Sequence, residues 1–139
     1  MDNEVKRNII IDHYHNPLNK GLLEDENYTK IRVNNESCID NIVLMVKVED
    51  GIIKDIRFDG EACAISTSAT SIMIKMLLNK SVEEALIILN EYEKMINEQD
   101  YDESIIGEAI VYNEVYKQPN RKKCALLPWR GIKIIIEKE

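Results

Sequence analysis

Four residues of this chain have side chains suited to binding a metal or attacking sulfur: Cys38, Asp40, Cys63 and Cys124. Cys38 and Asp40 stand two apart in a polar stretch, and in an extended loop that spacing turns both side chains to one side. Cys63 follows a predicted hairpin and immediately precedes a helix, and Cys124 precedes an apolar C-terminal segment. A thiol at a helix N-terminus sees the positive end of the helix dipole and unpaired N–H groups, which favour the thiolate. Thiolate is the form that binds metal and the form that attacks sulfur. Three thiolates and one carboxylate make four donors, the number that tetrahedral zinc takes. The spacing lacks the Cys-X-X-Cys knuckles that mark a zinc site from sequence. On the residues alone, metal binding, thiol chemistry and burial as small hydrophobes all remain open.

Other candidates are plainer. His13 and His15 point to different sides of a helix and make a poor metal pair, so structural or surface roles are expected. Ala64, Ser66, Ser68 and Ala69 mark close helix packing, with Ser66 an alternative cap beneath the site. Trp129 reads as a packing anchor. Arg121 and Lys123 flank Cys124, either as a solvated basic patch or as guides for sulfur or a partner.

The elements that must position these residues follow from apolar period and punctuation. A helix capped by Asp2 or Asn3 spans about Glu4 to His13 and ends at Pro17. Ile42–Val48 and Ile52–Phe58 are β-branched runs joined by Asp50-Gly51, a strong hairpin signal. Ile52, Lys54, Ile56 and Phe58 do not alternate cleanly with the rest, so one face stays unassigned. A small-residue helix runs from Ala64 to Leu78. Another starts at Ser81, where Ser81 and Glu84 have capping-box spacing, and reaches about Asn97 with Ala85, Leu86, Leu89, Tyr92 and Ile96 inward. Residues 98–123 are polar, with one short helix around Ile105 to Tyr112. Ala125 to Ile136 docks on the core as a helix starting near Pro128, or places Ile134–Ile136 in a strand.

The 139 residues suit a single domain, with 45% hydrophobic and 31% charged residues. A net charge of −7 argues against a nucleic-acid binder. No apolar run reaches membrane-spanning length, and the N-terminus lacks a signal-peptide layout, so a cytoplasmic protein is expected. Three cysteines in such a chain are not a disulfide framework.

Four segments, in order along nearly the whole chain, resemble the U-type (NifU/IscU/SufU) iron–sulfur assembly proteins. Asp12 to Gly21 is similar to the N-terminal signature, and Asn34 to Asp40 to the loop usually written Asn-Pro-X-Cys-Gly-Asp. Phe58 to Ser66 resembles the second cysteine motif, and Arg121 to Trp129 the third. The SufU branch is nearer. Lys123 stands where IscU-like chains carry a ligating His, and the long gap between Cys63 and Cys124 resembles that branch's insertion, here about 98–115. One departure is Ile39 in place of the family Gly, expected to stiffen the loop or turn Cys38, because Ile disfavours positive φ.

The resemblance implies an α+β fold, a small antiparallel sheet with helices on one face and a metal site at one end. It implies zinc held by Cys38, Asp40, Cys63 and Cys124. It also implies sulfurtransferase-like work, in which Cys38 leaves the metal and accepts persulfide sulfur from a SufS-like cysteine desulfurase. Downstream iron–sulfur assembly proteins are the expected recipients. The alternative it carries is a scaffold on which a [2Fe–2S] cluster is built and passed on.

Overall fold

The computed structural model describes residues 1–36 and 38–139. Helix α1 (Asn3–His15) is capped by Asp2, whose carboxylate accepts from the Val5 amide at 2.9 Å. Three strands, β1 (Thr29–Asn34), β2 (Asn41–Glu49) and β3 (Ile52–Glu61), form an antiparallel sheet in the order β1-β2-β3. Helices α2 (Ala64–Leu77), α3 (Val82–Ile96), α4 (Glu103–Ile106) and α5 (Pro119–Ile136) follow. Two short 3₁₀ turns, Gly107–Tyr112 and Val115–Lys117, lie between α4 and α5. The fold is α+β, as expected.

The β2–β3 turn has positive φ at both Asp50 (53°) and Gly51 (73°), the backbone that a two-residue hairpin needs. The unassigned face of β3 has a local cause. Lys47 pairs with Asp55 and Val48 with Ile53, so Lys54 is an extra residue and the side-chain phase inverts across it. Ile53, Ile56 and Phe58 thereby share the buried face with Val46, Leu44 and Ile42.

Helix α2 occupies the centre of the protein, buried from Ser66 through Ile74. Its small residues let α1 and α5 approach closely, and its hydroxyls have partners. Ser68 meets the Tyr112 hydroxyl at 2.5 Å, Thr70 donates to the Ser66 carbonyl at 2.7 Å, and Ser71 lies 2.7 Å from His13 Nδ1. The capping box at Ser81 and Glu84 is present. Ile88 and Met95 join the inward face of α3, while Leu86 is only half-buried.

Two expectations need correcting. Strand β1 precedes the first strand read from sequence. Its exposed-to-intermediate alternation carries only Ile31 and Val33 as apolar residues, too weak a pattern to stand out. Helix α5 begins at Pro119, nine residues before Pro128, and remains helical through Ile134–Ile136. Pro119 occupies the first turn, where its missing N–H costs nothing. Pro128 is internal and buried. Ile39 itself does not take positive φ.

Trp129 anchors α5 as expected. Its ring stacks on Tyr92 (centroids 3.7 Å apart, planes 6° from parallel), and its Nε1 donates to the Ala69 carbonyl at 3.2 Å. No helix among the described residues is long and apolar enough to cross a membrane.

Candidate metal centre

Each of the four donors comes from a different local setting. Cys38 lies in the loop between β1 and β2, where its amide donates to the Asn35 carbonyl at 3.0 Å and the Asn35 amide to the Asp40 carbonyl, also at 3.0 Å. Asp40 closes that loop one residue before β2 and is 1% exposed. Cys63 is the N-cap of α2, its sulfur accepting from the Ser66 amide at 3.4 Å. Cys124 is buried in the second turn of α5, with Asn35 Nδ2 donating to its sulfur at 3.7 Å. The donor atoms of all four lie within 4.8 Å of one another. Ser37, in the same loop, falls outside the described residues.

Asp40 organises this group. Its Oδ1 accepts from the Cys63 amide at 2.8 Å and lies 3.6 Å from Cys38 Sγ. Its Oδ2 accepts from the Ser66 hydroxyl at 2.5 Å. Burial pushes the carboxyl up, but hydrogen bonds from Ser66, the Cys63 amide and the two neighbouring thiols outweigh it. The group stays below the usual carboxylate range. Ser66 is fully buried, and its Oγ also lies 3.1 Å from the Cys124 carbonyl. That carbonyl is the one orphaned by Pro128, since residue 128 has no N–H to return to position 124. Sequence reasoning saw Ser66 only as a packing residue or a cap. The structure makes it the bridge between Asp40 on the loop and Cys124 on α5.

Burial opposes the activation of the thiols that the helix N-terminus favours. Burial raises the Cys63 thiol despite the Ser66 amide and hydroxyl. Burial, then the hydrogen bonds to Asp40 and Cys63, raises Cys124 well above its ordinary value. A buried carboxylate surrounded by reluctant thiols is a concentration of developing negative charge, and a divalent cation relieves it. The donor set therefore fits a metal ion, three soft sulfurs and one oxygen at tetrahedral count.

His13 and His15 do not join the group. His13 is buried and ties α1 to the rest. Its Nε2 lies 2.6 Å from Glu108 Oε1, and Glu108 Oε2 accepts from Lys75 at 2.7 Å. Ser71 Oγ accepts from the Leu18 amide at 2.9 Å, which leaves its own proton for His13 Nδ1. His15 and Lys123 are exposed.

A small α+β fold that gathers three cysteines and an aspartate onto one end defines a class of metal-site protein, and the wider comparison agrees. Residues 5–125 match the NifU-like N terminal domain, and the chain belongs to that family of iron–sulfur cluster assembly proteins. It is similar to the zinc-dependent sulfurtransferase SufU of Bacillus subtilis, 37% identical over 96% of this chain and 90% of that one. It is also similar to the iron–sulfur cluster assembly scaffold protein IscU of Thermotoga maritima, 33% identical over 93% and 90%. Among solved structures, an iron–sulfur cluster assembly scaffold protein for the SUF system from Fervidobacterium islandicum AW-1 superposes with a TM-score of 0.86. That match has 32% identity and covers 91% of this chain and 92% of that one.

Proposed function

We propose that this protein is a zinc-dependent sulfur carrier of the cytoplasm that accepts sulfur from a cysteine desulfurase on Cys38. The observation that carries the reading is the unequal hold on the three thiols. Cys63 caps α2 and Cys124 is built into α5, so displacing either disturbs a regular element. Cys38 sits in a short loop beside Ile39, which is 67% exposed, and moving it disturbs few buried contacts. Zinc bound by Cys38, Asp40, Cys63 and Cys124 would keep the thiols deprotonated without redox chemistry of its own.

The Cys38 thiolate attacks the outer sulfur of the donor's persulfide. A new S–S bond forms at Cys38, the donor's S–S bond breaks, and the donor cysteine leaves as a thiolate, so oxidation states balance across the exchange. Asp40 cannot follow Cys38, because the Ser66 hydroxyl and the Cys63 amide hold its carboxylate in place.

Lys123 supports the carrier over the scaffold reading, since it is exposed and offers no ligand beside Cys124. The scaffold reading draws on the likeness to IscU proteins and on the same donor set, which also suits a [2Fe–2S] cluster as cargo. A desulfurase assay with and without the protein, alongside metal analysis, separates the two. The carrier reading expects one zinc per chain, stimulated turnover abolished in Cys38→Ala, and an extra sulfur on Cys38 by mass spectrometry. Sulfur found on Cys63 or Cys124 would move the acceptor. No persulfide, with a stable cluster assembled from iron and sulfide, would replace the carrier by the scaffold.

A further inference from the structure

The chain carries a net charge of −7, yet the groove beside its thiols is lined by more cations than carboxylates. Cys38, Cys63 and Cys124 open onto a groove of about 850 Å³ bounded by α1, the turns after α4 and the start of α5. Its lining includes Lys6, Arg7, Lys117 and Arg121 against a single carboxylate, Glu114. Glu114 lies 3.7 Å from Lys117 and offsets only that one charge. Lys6 donates to the neutral Asn113 side chain at 2.6 Å. Arg7 and Arg121 are exposed and, among the described residues, form no ion pair. Between these cations the lining is mixed, with Ile10, Ile65, Val111 and Val115 beside the neutral polar Asn3, Gln118 and Asn120.

Like charges gathered from three elements repel one another, and an acidic chain has carboxylates enough to neutralise them. Leaving Arg7 and Arg121 without an ion pair beside apolar side chains suits a surface that takes an anionic, partly apolar occupant. The volume lies well above what a small inorganic anion fills. The walls are also pinned in place, α1 to the 107–112 turn by the His13–Glu108 contact at 2.6 Å.

We propose that this groove is the docking trough for an acidic, extended segment of the sulfur-donating protein. Arg7, Lys117 and Arg121 take its carboxylates, and the apolar side chains between them take its intervening residues. A segment seated there brings its cysteine to the thiol group from the side on which Cys38 opens. The proposal rests on the sulfur-acceptor reading for the identity of its partner.

The test measures binding of a cysteine desulfurase to the immobilised zinc-loaded protein, separately from sulfur transfer. Arg7→Glu and Lys117→Glu are expected to weaken binding about tenfold and to raise the concentration needed for half-maximal stimulation, with the maximal rate kept. Metal content and melting temperature should match the unaltered protein. Lys138→Glu, a charge reversal outside the groove, should bind like the unaltered protein, and added salt should weaken the unaltered protein more than the groove variants. Groove variants that bind as well as Lys138→Glu, or an unaltered protein that binds no desulfurase, would overturn the proposal. Binding that depends on the groove while no sulfur reaches Cys38 would keep the trough and remove the carrier reading instead.

Discussion

At the scale of single residues, Ser66 is where the loop, α2 and α5 meet. Its hydroxyl donates to Asp40 Oδ2 and lies against the Cys124 carbonyl, with no access to water. Ser66→Ala removes the donor to Asp40 Oδ2 and leaves the Cys63 amide as the remaining hold on that carboxylate. Losing a partner of a buried acceptor costs about 1–3 kcal/mol, and losing an outer-shell support typically lowers metal affinity about 10–100-fold. Urea unfolding of the metal-free protein and competition with a chromophoric chelator measure the two separately. An unchanged affinity would mean that the Cys63 amide alone orients the carboxylate. The four residues that cluster here were legible in the sequence, because residue type and motif order single them out. The role of Ser66 was not, because a serine in a small-residue helix looks the same whether it packs or bridges. Only the Asp40 loop folding back over α2 distinguishes the two, and no local pattern encodes that.

At the scale of elements, the hairpin that carries the chain into Cys63 depends on Gly60. Its φ is 129°, and a Cβ there would run into the Asn41 carbonyl on the neighbouring strand. Gly60→Ala combines disfavoured backbone with a clash against main chain, and about 3 kcal/mol of destabilisation is expected. Chemical denaturation reads the cost, and metal affinity should fall with it because Asn41 follows Asp40 directly. A loss below about 1 kcal/mol would show that the sheet edge yields freely. Helix α5 presses Gly131 onto β1 and β2, with Val33 and Leu44 side chains 2.9 Å from where a Cβ would lie. Strong local signals made the hairpin, α2 and α3 legible. The first turn of α5 was obscured because Asn120 to Lys123 offer no apolar residue, so the apolar pattern begins only after the helix has started. The β3 face was ambiguous in the sequence for a real reason, the bulge at Lys54.

At the scale of the whole molecule, a polar clasp joins α1, α2 and the turn after α4 through His13, Lys75 and Glu108. Burial pushes the Glu108 carboxyl up, but hydrogen bonds from Lys75 and His13 outweigh it and leave it below its ordinary value. A depressed carboxyl stabilises the fold fully above its unfolded value, about 4.3, and that contribution is lost as pH falls through the folded value. Glu108→Gln should therefore be less stable than the unaltered protein at neutral pH, and the gap should close as pH drops below about 4. Denaturation of the metal-free proteins across that range checks it, and a gap independent of pH would assign the effect to packing.

The Tyr92–Trp129 stack has an optical consequence. Trp129 is the only tryptophan in the chain, 2% exposed, and it lies on the same helix as Cys124. Its emission should be blue-shifted and shielded from iodide quenching. Because Cys124 and the indole share one helix, a change that loosens α5 at the sulfur should appear as a change in quantum yield. The protein thus carries its own fluorophore for following occupancy of the site in real time, with no label attached.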